Sequence, residues 1–373
     1  MRVLHVISDS NVGGAGVLLT SLLRHFDPAR VQSSVALPID SALIDRIAPL
    51  SVPIRLLHFP TDRPSLQSIT ELSRLIDADG VDIVHTNAAI SARIAGRLLR
   101  RRVVYTRHCC FPPTGIWRIG SLRRLGGRWN AALCDRAIAT AEAARENLRQ
   151  SGISDDRISV IVNGSEPIRV LTDTEIMATR KRWQINSDTF VIGICARLEA
   201  CKGHETLLYA AKRLLSLTDR RLCFLIVGDG SRRPSLEELA HTLGIAEQVR
   251  FTGFLSDVAP AFRLMDLNVN CSLGTETSCL AISEGMSAGV PAIVSDYGGN
   301  RAMIGDSEAG IVYPTGDADA LADALLSLIR DPERTEQMRC AARQRYEQHF
   351  SPLRMTEQLT EVYEQLYATG VKQ

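Results

Sequence analysis

The sequence contains no run approaching ~20 uninterrupted apolar residues, and its opening, MRVLHVIS, lacks a basic stretch followed by a long apolar one. Membrane spans and a secretory leader are not expected, and the protein is expected in the cytosol. An excess of either charge is also missing: 43 Lys plus Arg face 42 Asp plus Glu, which leaves a formal charge of +1. That balance provides no whole-molecule attraction to nucleic acid or to a membrane, so any such attraction must be local. Nine cysteines, an odd and scattered number, include no Cys-x-x-Cys pair, and the eight histidines are dispersed. A disulfide framework and a structural zinc site are both excluded as expectations, and no metal is expected. Internal repeats and low-complexity tracts are absent as well, which sets aside solenoids and disordered tails.

What is there is an ordinary globular composition, 45% apolar and 23% charged over 373 residues, long enough for two domains. Short β-branched runs alternate with longer helical patterns. Strands are expected at Val3 to Ser8, Ser33 to Pro38, Ile54 to His58, Asp82 to Thr86, Val103 to Arg107, Arg136 to Thr140 and Ile158 to Val162. The pattern restarts at Phe190 to Cys195, Cys223 to Gly228, Val249 to Gly253, Leu267 to Ser272 and Pro291 to Ser295. Such alternation predicts an α/β protein with two parallel, doubly wound, Rossmann-like sheets. The polar stretch from Arg169 to Ser187 is expected to hold or follow the linker. The domains are set at 1–168 and 169–350, followed by a helix over 351–373 that opens on Ser351-Pro352 and carries Met355, Leu359, Val362, Tyr363 and Leu366 on one face.

The most informative stretch is GTETSCLAISEGMSAGVPAIVSDYGGN, from Gly274 to Asn300. A helix is expected from about Ser278 to the Gly289-Val290-Pro291 stop, so the loop before it sits at the carboxyl end of a strand, where open α/β sheets bind ligands. Backbone N–H groups of Ser278, Cys279 and Leu280 are then expected to point at an anion. Glu276 and Glu284 lie two turns apart and can face one side of a cleft, as acceptors for vicinal hydroxyls of a sugar or ribose. The same pair also fits a first-turn carboxylate favoured by the helix dipole and an exposed polar face. Upstream, in IGICARLEACKGHETLL, Arg197 and Lys202 occupy the loop after another strand, and two cations at a helix N-terminus make a diphosphate clamp. Gly14-Ala15-Gly16 is only a partial dinucleotide fingerprint, since Leu19 stands where its third glycine belongs. Two Asp-x-Asp occurrences, at Asp77 and Asp317, fit helix ends and turns better than a metal-held nucleotide.

In this order and spacing, these pieces resemble the retaining glycosyltransferases of family 4, which have the GT-B fold. The resemblance covers nearly the whole chain: Gly13-Gly14-Ala15, Thr106-Arg107-His108, Val160 to Gly164, Arg197-Leu198 with Lys202-Gly203, Val227 to Gly230, Phe251 to Phe254, the pair Glu276 and Glu284, and Gly298-Gly299. It implies that Arg197 and Lys202 hold a nucleotide-sugar's diphosphate, that Glu276 contacts sugar hydroxyls and that Glu284 contacts the ribose. His108, otherwise readable as a buried histidine with a backbone partner, is implied to contact the donor sugar or the reacting centre. The donor set it implies is Gly14, Arg197, Lys202, Thr252, Gly253, Glu276, Ser278, Cys279, Leu280 and Glu284, with no cofactor beyond the nucleotide-diphosphate sugar. Two departures stand out: Thr277-Ser278-Cys279 stands where the family often has Gly or Ser, then Phe or Leu, then Gly or Pro, and Asn300-Arg301 stands where an acidic residue often appears nearby.

Between Arg93 and Arg128 lie ten arginines and no acidic residue, interleaved with Trp117 and apolar side chains and followed by Trp129. This composition suits an anionic lipid surface or a lipid-linked acceptor, with Arg118, Arg123 and Arg124 as its candidate surface, and equally a solvated helix face. No nucleic-acid motif accompanies it. The overall expectation is a hexosyltransferase of bacterial-type polysaccharide or glycolipid assembly, peripheral on the inner face of the membrane. A nucleotide-sugar epimerase on the same plan, an NAD-dependent dehydrogenase and a non-catalytic membrane binder are its rivals.

Overall fold

The computed structural model describes residues 1–10, 13–59, 64–87, 89–108, 120–274, 277–305 and 308–370, with backbone alone at 120–125 and 370. The chain divides into two compact units, Met1–Ser165 joined by the segment from Pro352 onward, and Glu166–Ser351.

In the first unit, strands β1 (Arg2–Ile7), β2 (Gln32–Pro38), β3 (Ile54–Leu57), β4 (Ile83–Asn87), β5 (Arg102–Arg107), β6 (Arg136–Ala139) and β7 (Ile158–Val160) form one sheet. All of its pairings are parallel and its order is β3-β2-β1-β4-β5-β6-β7. Val3, Leu4, Val6, Val35, Ile83, Val84, Val103 and Val104 are buried, as they must be in a sheet covered by helices on both faces. The helices are α1 (Gly14–His25), α2 (Ile44–Ile47), α3 (Leu66–Ala78), α4 (Ile90–Leu98), α5 (Gly120–Ala132) and α6 (Glu142–Gln150).

The second unit carries β8 (Phe190–Cys195), β9 (Leu222–Val227), β10 (Val249–Gly253), β11 (Leu267–Asn270), β12 (Ala292–Ser295) and β13 (Gly310–Tyr313) in the order β10-β9-β8-β11-β12-β13, again parallel along the named strands. Its helices are α7 (Asp173–Trp183), α8 (His204–Leu215), α9 (Arg233–Thr242), α10 (Ala259–Leu264), α11 (Leu280–Ser287), α12 (Asn300–Ile304), α13 (Ala318–Arg330) and α14 (Pro332–His349). Two features go beyond the sequence reading. The units divide between Ser165 and Glu166, just before the polar stretch expected to hold or follow the linker, and that stretch folds as α7, because Thr172 and Glu175 form a reciprocal capping box and Ile176 and Trp183 pack on the core. The edge strand β13 escaped notice because it is four residues long and begins with glycine.

The last helix, α15 (Pro352–Gly370), returns to the first unit beside α1. Its buried face is Met355, Leu359, Val362, Tyr363 and Leu366. Burying each such side chain contributes roughly 1.5–3 kcal/mol. The exposed ion pairs of Arg30 with Glu357 (2.8 Å) and Glu364 (2.9 Å) add little by comparison, since exposed pairs are worth about 0–1 kcal/mol.

Candidate functional site

Both sheets reverse their strand order once, between β1 and β4 in the first and between β8 and β11 in the second. Ligands of open α/β sheets bind at the carboxyl ends of strands where the order reverses. Among the described residues, Gly14 follows β1, Arg197 and Lys202 follow β8 and Glu284 follows β11, the strands at these reversals, whereas His108 follows β5, one strand away, and Thr252 and Gly253 lie in β10, two strands away.

In the second unit the loop after β8 carries Arg197, exposed, and Lys202, half-buried. Backbone bonds weave this loop into its neighbours. Leu198 N–H donates to the Asp229 carbonyl (3.0 Å), Arg232 N–H to the Leu198 carbonyl (2.9 Å), and Leu273 N–H to the Cys201 carbonyl (2.8 Å). Gly228 has φ +130°, and a Cβ there would overlap the Ala196 carbonyl oxygen; Gly203 has φ +63° and lies against the Cys271 carbonyl. Those two glycines let three loops approach closely enough to hold Arg197 and Lys202 in place. The expected donor residues Thr252 and Gly253 lie next in this weave, where the Gly253 carbonyl accepts from Gly228 N–H (3.0 Å) and from the Thr252 hydroxyl (2.9 Å).

After β11 the chain enters α11, which begins at Leu280 rather than near Ser278. Cys279 is its N-cap, and the Cys279 N–H, expected to face an anion, instead donates to the Met303 thioether at 3.2 Å. The shift follows from a buried polar cluster behind the loop. Asn270 Nδ2 donates to the Cys279 sulfur (3.1 Å), Asn270 Oδ1 accepts from Ser272 N–H (3.0 Å) and Asn300 Nδ2 (3.1 Å), and Asn300 Nδ2 also reaches the Ser295 carbonyl (3.2 Å). Asn270 and Met303 were not singled out from sequence, and Asn300 stood out only as part of the departure Asn300-Arg301; for Asn270 the signal lay in a polar residue inside an otherwise apolar strand. Thr277, Ser278 and Cys279 are buried, and the Ser278 hydroxyl is unpartnered among the described residues. Glu276 lies outside the described residues.

Glu284 sits on the second turn of α11, half-buried, and no described side chain hydrogen-bonds or pairs with its carboxylate. Burial raises its pKa to about 7. Its charge in turn helps push up the thiol of Cys195, whose pKa is raised first by burial and then by Glu284 and Cys279; Cys195 lies two residues before Arg197. A desolvated, uncompensated carboxylate is an acceptor awaiting donors such as the hydroxyls of a ribose.

In the first unit Gly14 begins α1 and is exposed, and Gly16 packs against Leu43. His108 follows β5, with Nε2 at 2.7 Å from Asn87 Oδ1 at the end of β4. Burial lowers its pKa to about 4, so the ring is neutral near pH 7. His108 lines a small pocket with His5, His85, Asn87, Thr106 and Asn163. The histidine is half-buried, and the Asn87 side-chain amide is one of its partners.

The arginine stretch divides. Arg93 is 4% exposed, donates to the Asn130 carbonyl (2.6 Å) and stacks over the Tyr105 ring at 4.4 Å. Arg97 and Arg102 pair with Asp135 (2.9 and 3.4 Å), and Arg101 lies 3.8 Å from Asp77. These arginines hold the unit together rather than forming an open cationic face. Arg128 and Trp129 are exposed, Trp129 by 62%. Arg118 lies outside the described residues, as do the side chains of Arg123 and Arg124. Of the Asp-x-Asp pairs, Asp79 caps the end of α3 and Asp317 the start of α13, where its carboxylate accepts from Ala320 N–H (2.9 Å). Among the described residues no group of three His, Cys, Asp or Glu is arranged to share a metal ion, and no helix is long and apolar enough to cross a membrane.

Residues 175–345 match the family Glycosyl transferases group 1, and residues 12–168 match Glycosyltransferase Family 4. The glycosyltransferase EpsD of Bacillus subtilis is 30% identical over 327 residues, 84% of each chain. A phosphatidyl-myo-inositol mannosyltransferase of Mycobacterium leprae is 30% identical over 176 residues, 47% of this chain and 46% of that one. Among solved structures, Anabaena HepE in complex with UDP superposes with a TM-score of 0.83 at 22% identity, covering 98% of this chain and 100% of that one, and its complex with UDP-glucose does so at 0.81. With these relatives, two parallel sheets of the GT-B kind and candidate residues at both reversal points, the chain belongs to the family 4 glycosyltransferases.

Proposed function

We propose that the protein moves a sugar, with retention of configuration, from a nucleoside diphosphate sugar to an acceptor hydroxyl in the assembly of a polysaccharide or glycolipid. Arg197 and Lys202 hold the diphosphate, Glu284 takes the ribose hydroxyls, and Glu276 takes hydroxyls of the sugar. The remaining members of the donor set, Gly14, Thr252, Gly253, Ser278 and Leu280, shape the loops around it. His108, neutral, contacts the sugar being transferred. Charge develops on the departing diphosphate, so fixed cations and oriented amides lower the barrier without reorganising. The observation that carries this reading is the uncompensated Glu284 carboxylate at the strand-order reversal, next in space to the loop of Arg197 and Lys202. The UDP and UDP-glucose complexes of HepE support a nucleotide-sugar donor.

The test is a thermal-shift screen against nucleoside diphosphate sugars with transfer measured in parallel. A ligand at 100 times its Kd stabilises by about 2.7 kcal/mol. One donor is expected to raise the melting temperature of the wild type, and an Arg197→Ala/Lys202→Ala variant, equally stable without ligand, is expected to lose both the shift and most of the turnover. Near-normal transfer by that variant overturns the clamp.

A lipid-linked acceptor met at the cytoplasmic face of a membrane is the second part of the proposal. It rests on exposed Trp129 beside exposed Arg128, in a segment whose sequence from Gly120 to Ala132 holds no carboxylate. The lipid named for the Mycobacterium leprae relative supports the same class of acceptor.

A further inference from the structure

The first unit has a second concave surface, on the other side of β1 from β5 and His108. It is an open groove of ≈ 560 Å³, the size of a small-molecule site, bordered by Ile39 and Asp40 after β2, His58 and Phe59 after β3, and Gln67 in the first turn of α3. Its walls are tied together. β2 and β3 pair in parallel up to Pro38 and Leu57. The Ser10 hydroxyl donates to Asp40 Oδ1 (3.0 Å), and the Ser68 hydroxyl donates to the His58 carbonyl (2.8 Å), which joins the end of β3 to α3. Phe59 is half-buried against the core that holds Leu72 and Ile76, while Asp40, His58 and Gln67 are exposed.

The lining selects among ligand classes. None of its described residues is Lys or Arg, so a phosphate or diphosphate finds no fixed cation. Polar side chains interrupt the apolar ones, so a long hydrocarbon chain finds no continuous apolar surface. A sugar ring is apolar where its C–H bonds lie and polar at its hydroxyls. Phe59 and Ile39 match the first property. Asp40 Oδ2, the His58 ring and the Gln67 side-chain oxygen, without partners among the described residues, match the second; Gln67 Nε2 donates to Glu71 (2.8 Å).

We infer that this groove is a remote acceptor subsite, which holds a neutral saccharide unit of a glycan acceptor some way along the chain from the hydroxyl that is glycosylated. The distance follows from the sheet order. β2 and β3 lie three and four strands from β5, so at about 4.8 Å per strand the groove is about 14–19 Å from the end of β5, where His108 stands. One sugar ring does not span that gap, so the groove contributes only to acceptors longer than a monosaccharide.

The inference deepens the acceptor reading given above, and the experiment separates it from the donor reading. Saturation-transfer NMR of the full chain screens methyl glycosides and di- to pentasaccharides of glucose, galactose, mannose and N-acetylglucosamine, with farnesyl phosphate as a lipid probe. Titration calorimetry then gives Kd for the saccharides that bind. Within one series Kd is expected to fall at least about tenfold from monosaccharide to longer chains. His58→Ala/Gln67→Ala changes exposed side chains only, and is expected to raise Kd for the longer chains roughly 5–30-fold, as loss of one or two hydrogen bonds does. Phe59→Leu removes the ring but keeps an apolar side chain on the core, and is expected to raise it roughly 2–10-fold; if this variant melts early, the double variant decides alone. Both should leave monosaccharide binding and the donor's thermal shift as in the wild type. Binding of no saccharide, or of farnesyl phosphate alone, overturns the inference. So does a Kd unmoved in the double variant, or one moved equally for monosaccharide and longer chains. A wild type that binds saccharides as expected but shows no thermal shift with any donor overturns the donor reading and leaves the groove assigned.

Discussion

The Glu284 carboxylate makes the second unit less stable than it needs to be, and that cost is measurable. In the unfolded chain a glutamate titrates near 4.5, whereas burial raises Glu284 to about 7 in the folded protein. The folded state therefore retains a proton between those values that the unfolded chain gives up. Stability falls as pH rises through that window and the whole penalty is present above it. At 1.36 kcal/mol per pH unit, a shift from 4.5 to about 7 amounts to about 3 kcal/mol, an upper bound for a side chain still partly open to solvent. Glu284→Gln keeps the shape and removes the charge, so the variant should exceed the wild type by up to about 3 kcal/mol at pH 8 and match it near pH 4.5. For a unit of this size that is an increase of roughly 6–12 °C in melting temperature at pH 8. Differential scanning fluorimetry across pH 5 to 8 measures it, alongside donor binding, which the same change should weaken. A Glu284→Gln variant no more stable than wild type at pH 8, or stabilised equally at every pH, refutes the claim that the carboxylate stands desolvated and unpaired.

EDTA should leave the transfer rate unchanged, because the diphosphate is assigned to cations and amides of the chain; complete loss restored by Mg²⁺ or Mn²⁺ would reopen the Asp-x-Asp reading. Gly228→Ala forces a side chain into φ +130° and onto the Ala196 carbonyl. It is expected to destabilise the second unit by about 3 kcal/mol or more and to abolish donor binding. Gly244→Ala, at φ +67° with only the end of Lys212 nearby, should cost no more than about 2 kcal/mol and spare binding; equal effects in denaturant melts would contradict the loop argument. Vesicle co-sedimentation tests the membrane proposal. Wild type should bind anionic vesicles at low salt and release as salt screens the charges over ~10 Å at 0.1 M, and Arg118→Ser/Arg123→Ser/Arg124→Ser should bind less. Equal binding by the variant leaves those arginines as a solvated face.

Much of the fold was legible because it is written in local pattern. Parallel strands buried on both faces read as short apolar runs, and Val3, Val35, Val103 and Ile192 stand where such runs put them. The apolar face of α15 could likewise be read from its spacing. The candidate donor residues were legible as types in an order: cations after one strand, carboxylates around the start of a later helix.

Other features depend on which segments meet, and no local pattern carries that information. The arginine stretch contains no carboxylate, yet Asp135 and Asp77 come to Arg97, Arg102 and Arg101 from elsewhere in the chain, and Arg93 is drawn inside against Tyr105. The Cys279 N–H, free by its place before a helix, is taken by Met303, 24 residues further along. Asn87 comes within hydrogen-bond distance of His108 only because β4 and β5 lie side by side in a particular register. Composition and periodicity settled which apolar faces turn inward and which chemistry is available, since hydrophobic period and propensity act over a few residues. Charge compensation, hydrogen-bond partners and the desolvation that sets the pKa of Glu284 act through space, and tertiary packing alone decided them.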